Sequence, residues 1–222
     1  LGALSVIWSP VAALSRVAEE RRVLSGFAVT ALYAALSLVA TAVAFFGGLA
    51  EAQLGAGGAP VPPEVQDLLV PFSIVALLFA AVWPFVFWLL VSGLMHLVTR
   101  FFGGTGPFSA TLAAVGVAGV PFVVYAALGL PLSGLQVVLG PESAAGAILG
   151  LLSSLLGLAA LLWFAALVVV GVALARRVGY GESAGSCAIS CAGCAGLILL
   201  VGVVLAVLVA LVAGAAGSAG GP

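Results

Sequence analysis

Polar positions in this chain are sparse, and they punctuate it at wide intervals. Val23 to Phe46 carries no charged residue. At 1.5 Å per residue it covers roughly 36 Å, enough to cross a hydrocarbon core of about 30 Å with some tilt. Four more apolar runs follow at about 71–98, 109–130, 144–175 and 187–213, and none carries a carboxylate, lysine or arginine in its middle. The pattern predicts an all-α polytopic membrane protein with five transmembrane helices. The 144–175 run is long for one crossing, so it is expected to be tilted, bent or projecting. Pro84 and Pro121 each remove a backbone donor inside a span and are expected to kink it.

The segments between the runs read as turns and loops. Gly47–Pro63 lacks periodicity and is rich in glycine and proline, so it is expected to be exposed loop. Pro62-Pro63-Glu64 then marks a helix start, with Glu64 and Asp67 near its positive end. Phe101–Pro107 is a short glycine-rich turn, Pro131–Ser143 a loop containing Glu142, and Val178–Ser186 a polar turn containing Glu182. Residues 214–222 form a small-residue tail, expected to be flexible.

Residues 1–22 differ from the rest. Ser9-Pro10 looks like an N-cap with proline at the first helical position. Val11, Leu14 and Val17 then recur at helical spacing, opposite Arg16, Glu19 and Glu20. This predicts a short amphipathic helix lying in the membrane interface, with Trp8 as an anchor; a solvated helical tail is the plainer alternative. The opening residues lack a basic n-region, so a retained signal peptide is not expected.

Composition agrees with this reading. The chain is 64% hydrophobic and 6% charged, with a mean hydropathy of +1.40. A soluble domain is about 25% charged, so 222 residues could not hide this much apolar surface from water. With a net charge of -1 and no lysine there is no basic face for nucleic acid. Five spans would place Arg16, Arg21, Arg22, Arg100, Arg176 and Arg177 on one side, and Glu51, Glu64, Asp67 and Glu142 on the other. The positive-inside rule then predicts a multi-pass cell-membrane protein with a cytoplasmic N-terminus and an outside C-terminus.

Candidate chemistry is thin. His96 and Arg100 share a helix face near the end of the second span. One reading has both side chains snorkelling to the headgroups. A sharper one has His96, Arg100 and the amides of Gly103, Gly104 and Gly106 holding a lipid phosphate. No lysine follows the glycines, so this is not a nucleotide loop. His96 lacks an orienting acid: Asp67 lies 29 residues upstream, roughly 43 Å along a helix. Neither catalysis nor charge-coupled transport is therefore expected.

Cys187, Cys191 and Cys194 spell C-x-x-x-C-x-x-C, the spacing of the radical-SAM cluster loop, but they open an apolar span instead of a soluble barrel. With no histidine or acid to complete a ligand set, close helix packing is the expected role, with no metal and no cofactor. Gly146 and Gly150 in span four, and Ala188, Cys191, Ala192 and Gly196 in span five, form small-residue faces for packing within the chain or against a partner.

Ser9-Pro10, the run His96-Leu-Val-Thr-Arg-Phe-Phe-Gly-Gly-Thr-Gly-Pro-Phe-Ser109, and Val120-Pro121 together resemble the Yip1-domain family, its prokaryotic members most, over about Ser9 to Ala213. The resemblance implies a five-span bundle with a cytoplasmic N-terminus. Eukaryotic relatives are implicated in membrane traffic and bind small Rab-type GTPases, and some prokaryotic ones are linked to export systems. The family brings no catalytic residues. The expected function is that of a non-enzymatic scaffold or accessory subunit of a membrane complex or exporter. Its partners would be membrane lipids and other membrane-protein subunits or a second copy. The alternative is a transporter or lipid-handling protein with a path between the kinked spans two and three.

Overall fold

The structure is a computed structural model that describes residues 4–49, 63–193 and 196. A turn of 3-10 helix at Leu4–Ile7 leads into α1 (Pro10–Glu19), followed by α2 (Val23–Phe46), α3 (Pro63–Phe101), α4 (Phe108–Ala118), α5 (Val120–Leu139) and α6 (Ala144–Arg176). A last described helix, α7, occupies residues 180–193. Every described element is helical, as a chain in lipid requires. With no water at hand, each backbone N–H and C=O must find its partner within its own segment.

Four segments are long and apolar enough to cross a membrane: Val23–Phe46, Ser73–Phe101, Phe108–Leu139 and Ala144–Arg176. The remainder of the expected fifth span and the 214–222 tail lie outside the described residues, as does most of the expected 47–63 loop. Large apolar side chains such as Leu78 on α3 and Ile148, Leu151 and Leu162 on α6 stand exposed along these helices. A water-soluble protein does not display so continuous an apolar surface.

Prolines act differently at their several positions. α3 runs unbroken through Pro71 and Pro84. In the third crossing the helix is interrupted at Gly119, two residues before Pro121. Pro121 cannot donate to Val117, and the chain bridges the gap with tighter bonds, Gly119 N to Gly116 O (3.1 Å) and Phe122 N to Gly119 O (3.0 Å). The expected loop at 131–143 is mostly helix. α5 continues through Pro131 to Leu139 and stops at Gly140, whose φ of 80° no helix accommodates. The expected polar turn at 178–186 is likewise short, with α7 already helical from residue 180.

The bundle is centred on α4. All of its residues from Ala110 to Ala118 except Leu112 are buried, and it packs against α1, α2, α3 and α6. Small side chains make this possible. Where α2 crosses α4, a Cβ on Gly26 would lie 3.2 Å from the Gly116 Cα, so the two backbones touch directly. The Trp88 indole N–H on α3 donates to Leu112 O at 2.9 Å, tying α3 to the same stretch.

α1 is a helix, as the spacing predicts, but its apolar face is covered by protein. Ala13, Leu14, Val17 and Ala18 are buried against α4 and α6. Leu14 sits in the notch left by Gly171, whose added Cβ would meet Leu14 Cδ2 at 3.4 Å. Trp8, at 85% exposure, and Val11 remain outside.

Candidate functional site

The turn between α3 and α4 brings several polar groups of distant segments together. It begins with Thr99, fully buried, whose hydroxyl donates to Met95 O at 2.6 Å. The same oxygen accepts from Arg176 Nε at 3.0 Å, and Arg176 Nη2 donates to Gly104 O at 2.6 Å. Arg176 closes α6 and is only 2% exposed. The return bond runs from Thr105 N to Arg176 O at 3.0 Å. The turn and the end of α6 thus grip each other through side chain and backbone.

A buried guanidinium ordinarily needs a carboxylate. Among the described residues the one ion pair is Arg22–Glu20, elsewhere on the chain. Arg176 is instead held by two neutral oxygens, the Thr99 hydroxyl in the last turn of α3 and the Gly104 carbonyl in the turn that follows, near the helix end where the peptide dipoles leave partial negative charge. The glycines fit this role. Gly103 takes the left-handed φ of 81° that the turn requires. A Cβ on Gly104 would lie 3.1 Å from Arg176 Nε, and one on Gly106 would collide with the Ala175 carbonyl.

This arrangement bears on the residues singled out from the sequence. The Gly103 and Gly104 amides already donate within the turn, to Arg100 O (3.2 Å) and Thr99 O (2.9 Å). Arg100 is exposed at the tip. His96 is half-buried, edge-on to Phe108 with ring centroids 5.3 Å apart, and its Nδ1 has no hydrogen-bond partner. Gly103 and Gly104 are thus engaged within the turn and Gly106 is buried against Ala175, which leaves Arg100 as the exposed side chain of the set. Sequence reasoning took Arg176 only as a charge marking a membrane side and passed over Thr99. The sequence shows a polar residue in the last turn of each of two apolar helices, but not that those two helix ends meet.

The small-residue faces divide. Gly146 is buried against the backbone of Gly140 and Pro141, and Gln136 Nε2 donates to its carbonyl at 3.3 Å; a Cβ on Gly150 would meet the same Nε2. These two glycines close the α5–α6 hairpin. On α7 the face turned to the chain is another one. Ser183, Ser186 and Ser190 are buried, and Ser183 donates to Val169 O on α6 at 2.7 Å. Ala188, Cys191, Ala192 and Gly196 are exposed, so they do not pack against the described chain. Serine can pair with a carbonyl across a helix contact, and alanine cannot. Cys187 is half-buried and packs on the core, whereas Cys194 lies outside the described residues.

The arginines collect at one end of the bundle. A cavity of about 120 Å³ is lined together by Glu19, Arg21, Pro107, Ala175 and Arg177, joining the end of α1, the turn and the end of α6. Both Arg21 (φ 50°) and Arg177 (φ 57°) are left-handed. At the other end, Gly47 after α2 abuts Val137 of α5, near the turn that carries Glu142.

The Yip1 domain model matches residues 4–204. The uncharacterized protein MJ0794 of Methanocaldococcus jannaschii is 35% identical over 72 residues, 32% of this chain. The match spans about half (51%) of that relative's length. No solved structure matches the chain. Within that stretch the described residues form a helical bundle with four segments long and apolar enough to cross a membrane, and the chain belongs to the Yip1 domain family.

Proposed function

We propose that this protein is a non-enzymatic scaffold or accessory subunit of a membrane complex or exporter, working through helix contacts and bound lipid. The observation that carries this reading is the closed interior between the second and third crossings. Trp88 ties α3 to α4, and Gly26 and Gly116 bring α2 onto the same place. The cavity beside Pro84, Phe87, Trp88, Gly119 and Phe122 has only about 40 Å³, room for a water or so and not for a lipid or solute path. Outward, the chain offers large apolar faces and the uncovered Ala188, Cys191, Ala192 and Gly196 stripe, suited to a partner subunit or a second copy.

The finer topology belongs to the same proposal. Five crossings place the arginine-bearing end in the cytoplasm and the protein in the cell membrane. α1 then lies at the cytoplasmic interface, anchored by Trp8. Arg100 at the tip of the α3–α4 turn, with His96 one helical turn earlier on α3, binds an anionic headgroup.

Reconstitution tests the choice between scaffold and conduit. Liposomes holding the purified protein alone are expected to show neither lipid scrambling nor solute flux above empty liposomes, while mild-detergent purification from its native membrane recovers a defined second chain or a homo-oligomer. Robust flipping or flux by the pure protein would replace this reading with that of a transport or lipid-handling protein.

A further inference from the structure

A second polar cavity lies at the start of the chain, apart from the α3–α4 turn. It has a volume of about 290 Å³ and is lined by Ser5, Ser9, Arg16, Arg22 and Ser25, with Ala12, Ala13 and Val17 as its floor. Ser5, Ser9, Ala12 and Arg16 are spaced to fall on one side of the 3-10 turn and α1. Arg22 and Ser25 come from the entry into α2. That volume is near the lower bound for ligand pockets, about 300 Å³.

The chemistry of the lining is one-sided. Its polar members are two guanidinium groups and three hydroxyls, and among the described residues no carboxylate lines it. Glu20 pairs with Arg22 through Nε, which uses one of five guanidinium donors. Neither the Ser9 side chain nor any side chain at Arg22 caps the helix it precedes. Arginine with hydroxyl donors at a helix start is the donor set that recognises a phosphate oxygen. The surroundings point to a phosphate carried on a lipid. Trp8 (85%) and Leu24 (79%) stand exposed beside Ser9 and Ser25, and Val23 begins the first membrane crossing. A headgroup in this cavity would leave its acyl chains against apolar surface.

We propose that this cavity is a binding site for a phosphate ester, occupied by the headgroup of an anionic phospholipid. The site is separate from the one assigned to His96 and Arg100, and it does not depend on the scaffold reading.

Native mass spectrometry of the full chain released from phosphatidylcholine nanodiscs doped with phosphatidylglycerol tests the proposal. The wild type is expected to retain phosphatidylglycerol in preference to phosphatidylcholine. Arg16→Gln with Arg22→Gln should lower the retained count by one lipid and weaken affinity at least about tenfold. Arg16→Lys with Arg22→Lys, which keeps the charge, should restore part of it. Ser25→Ala should give a smaller loss and serves as the reading if the glutamine pair does not fold. Arg100→Ala should remove a different lipid, so that the triple variant loses two. Glycerol phosphate added to undoped nanodiscs separates the sources. Binding there with no retained phosphatidylglycerol would support the phosphate chemistry and move the ligand to the soluble pool. Wild-type phosphatidylglycerol retention by both the glutamine pair and Ser25→Ala, or equal retention of phosphatidylcholine by the wild type, would overturn the site.

Discussion

Arg176 carries an uncommon burden for a single side chain. It is buried without a carboxylate, and its two donors satisfy oxygens on a hairpin more than seventy positions earlier in the chain. Replacing it with methionine keeps most of the volume and removes both bonds. Gly104 O is then left without its buried donor, at a cost of about 1–3 kcal/mol. Arg176→Lys should recover only part of this, since an ammonium cannot reproduce the guanidinium fork. Thermal unfolding in detergent reads both, and a methionine variant as stable as wild type would remove Arg176 from its structural role. The neighbouring Arg177 offers the opposite change. It caps α6 in a left-handed conformation, φ 57° and ψ 41°, that glycine adopts without steric penalty. Arg177→Gly should therefore raise stability by up to about 1 kcal/mol. The same denaturation series decides this.

Among the elements, α4 is the one on which the others converge, and its glycine crossing with α2 fixes their distance. A Cβ on Gly116 would lie 2.5 Å from Gly26 Cα and 2.8 Å from Trp88 Nε1. Backbone cannot move aside as a flexible side chain can. Gly116→Leu should destabilise by at least 1–3 kcal/mol, the usual range for overpacking, and reduce the folded yield from membranes. Gly129→Ala on α5 is the control, because nothing lies within 4 Å of its added Cβ. It should be neutral or slightly stabilising through helix propensity. Equal behaviour of the two variants would mean that the crossing is not tight. The elements also show what the sequence could reveal. Apolar runs between charges mark crossings because lipid imposes length and polarity together, and 23–46 is legible to the residue. Pro131 misleads because proline is a helix stop in water, whereas lipid penalises an unpaired backbone enough to carry α5 on to Gly140. The buried face of α7 misleads for a related reason. Hydropathy favours its alanines and cysteines, but burial follows the serines, one of which pairs with a carbonyl of α6 and another with a carbonyl of its own helix. The Thr99–Gly104–Arg176 joint was not legible at all, since no local pattern states which distant helix end a glycine turn will meet.

For the whole molecule, the sorting of charge is the property that fixes its place in a membrane. Arg21, Arg177 and the α3–α4 turn line one cavity, and Arg176 reaches into that turn. Glu142 stands exposed in the turn after α5, where the Gly47–Val137 contact marks the other end. Four crossings of alternating direction are sufficient to produce this separation, whichever way the bundle is inserted. Insertion itself is decided by where the arginines can remain: moving them across the bilayer is opposed by the translocation machinery and by the membrane potential, about 2.3 kcal/mol per charge per 100 mV. The arginine-bearing end is therefore expected on the cytoplasmic side. Cysteine labelling checks it in a variant whose Cys187, Cys191 and Cys194 are serine. Glu142→Cys should react with a membrane-impermeant maleimide on intact cells. Thr105→Cys, exposed on the glycine turn, should react only after lysis. Reaction of both positions on intact cells would mean insertion in either direction. The reverse pattern would put the arginines outside and, with them, the phosphate cavity beside α1 on the wrong leaflet for a cytoplasmic anionic lipid.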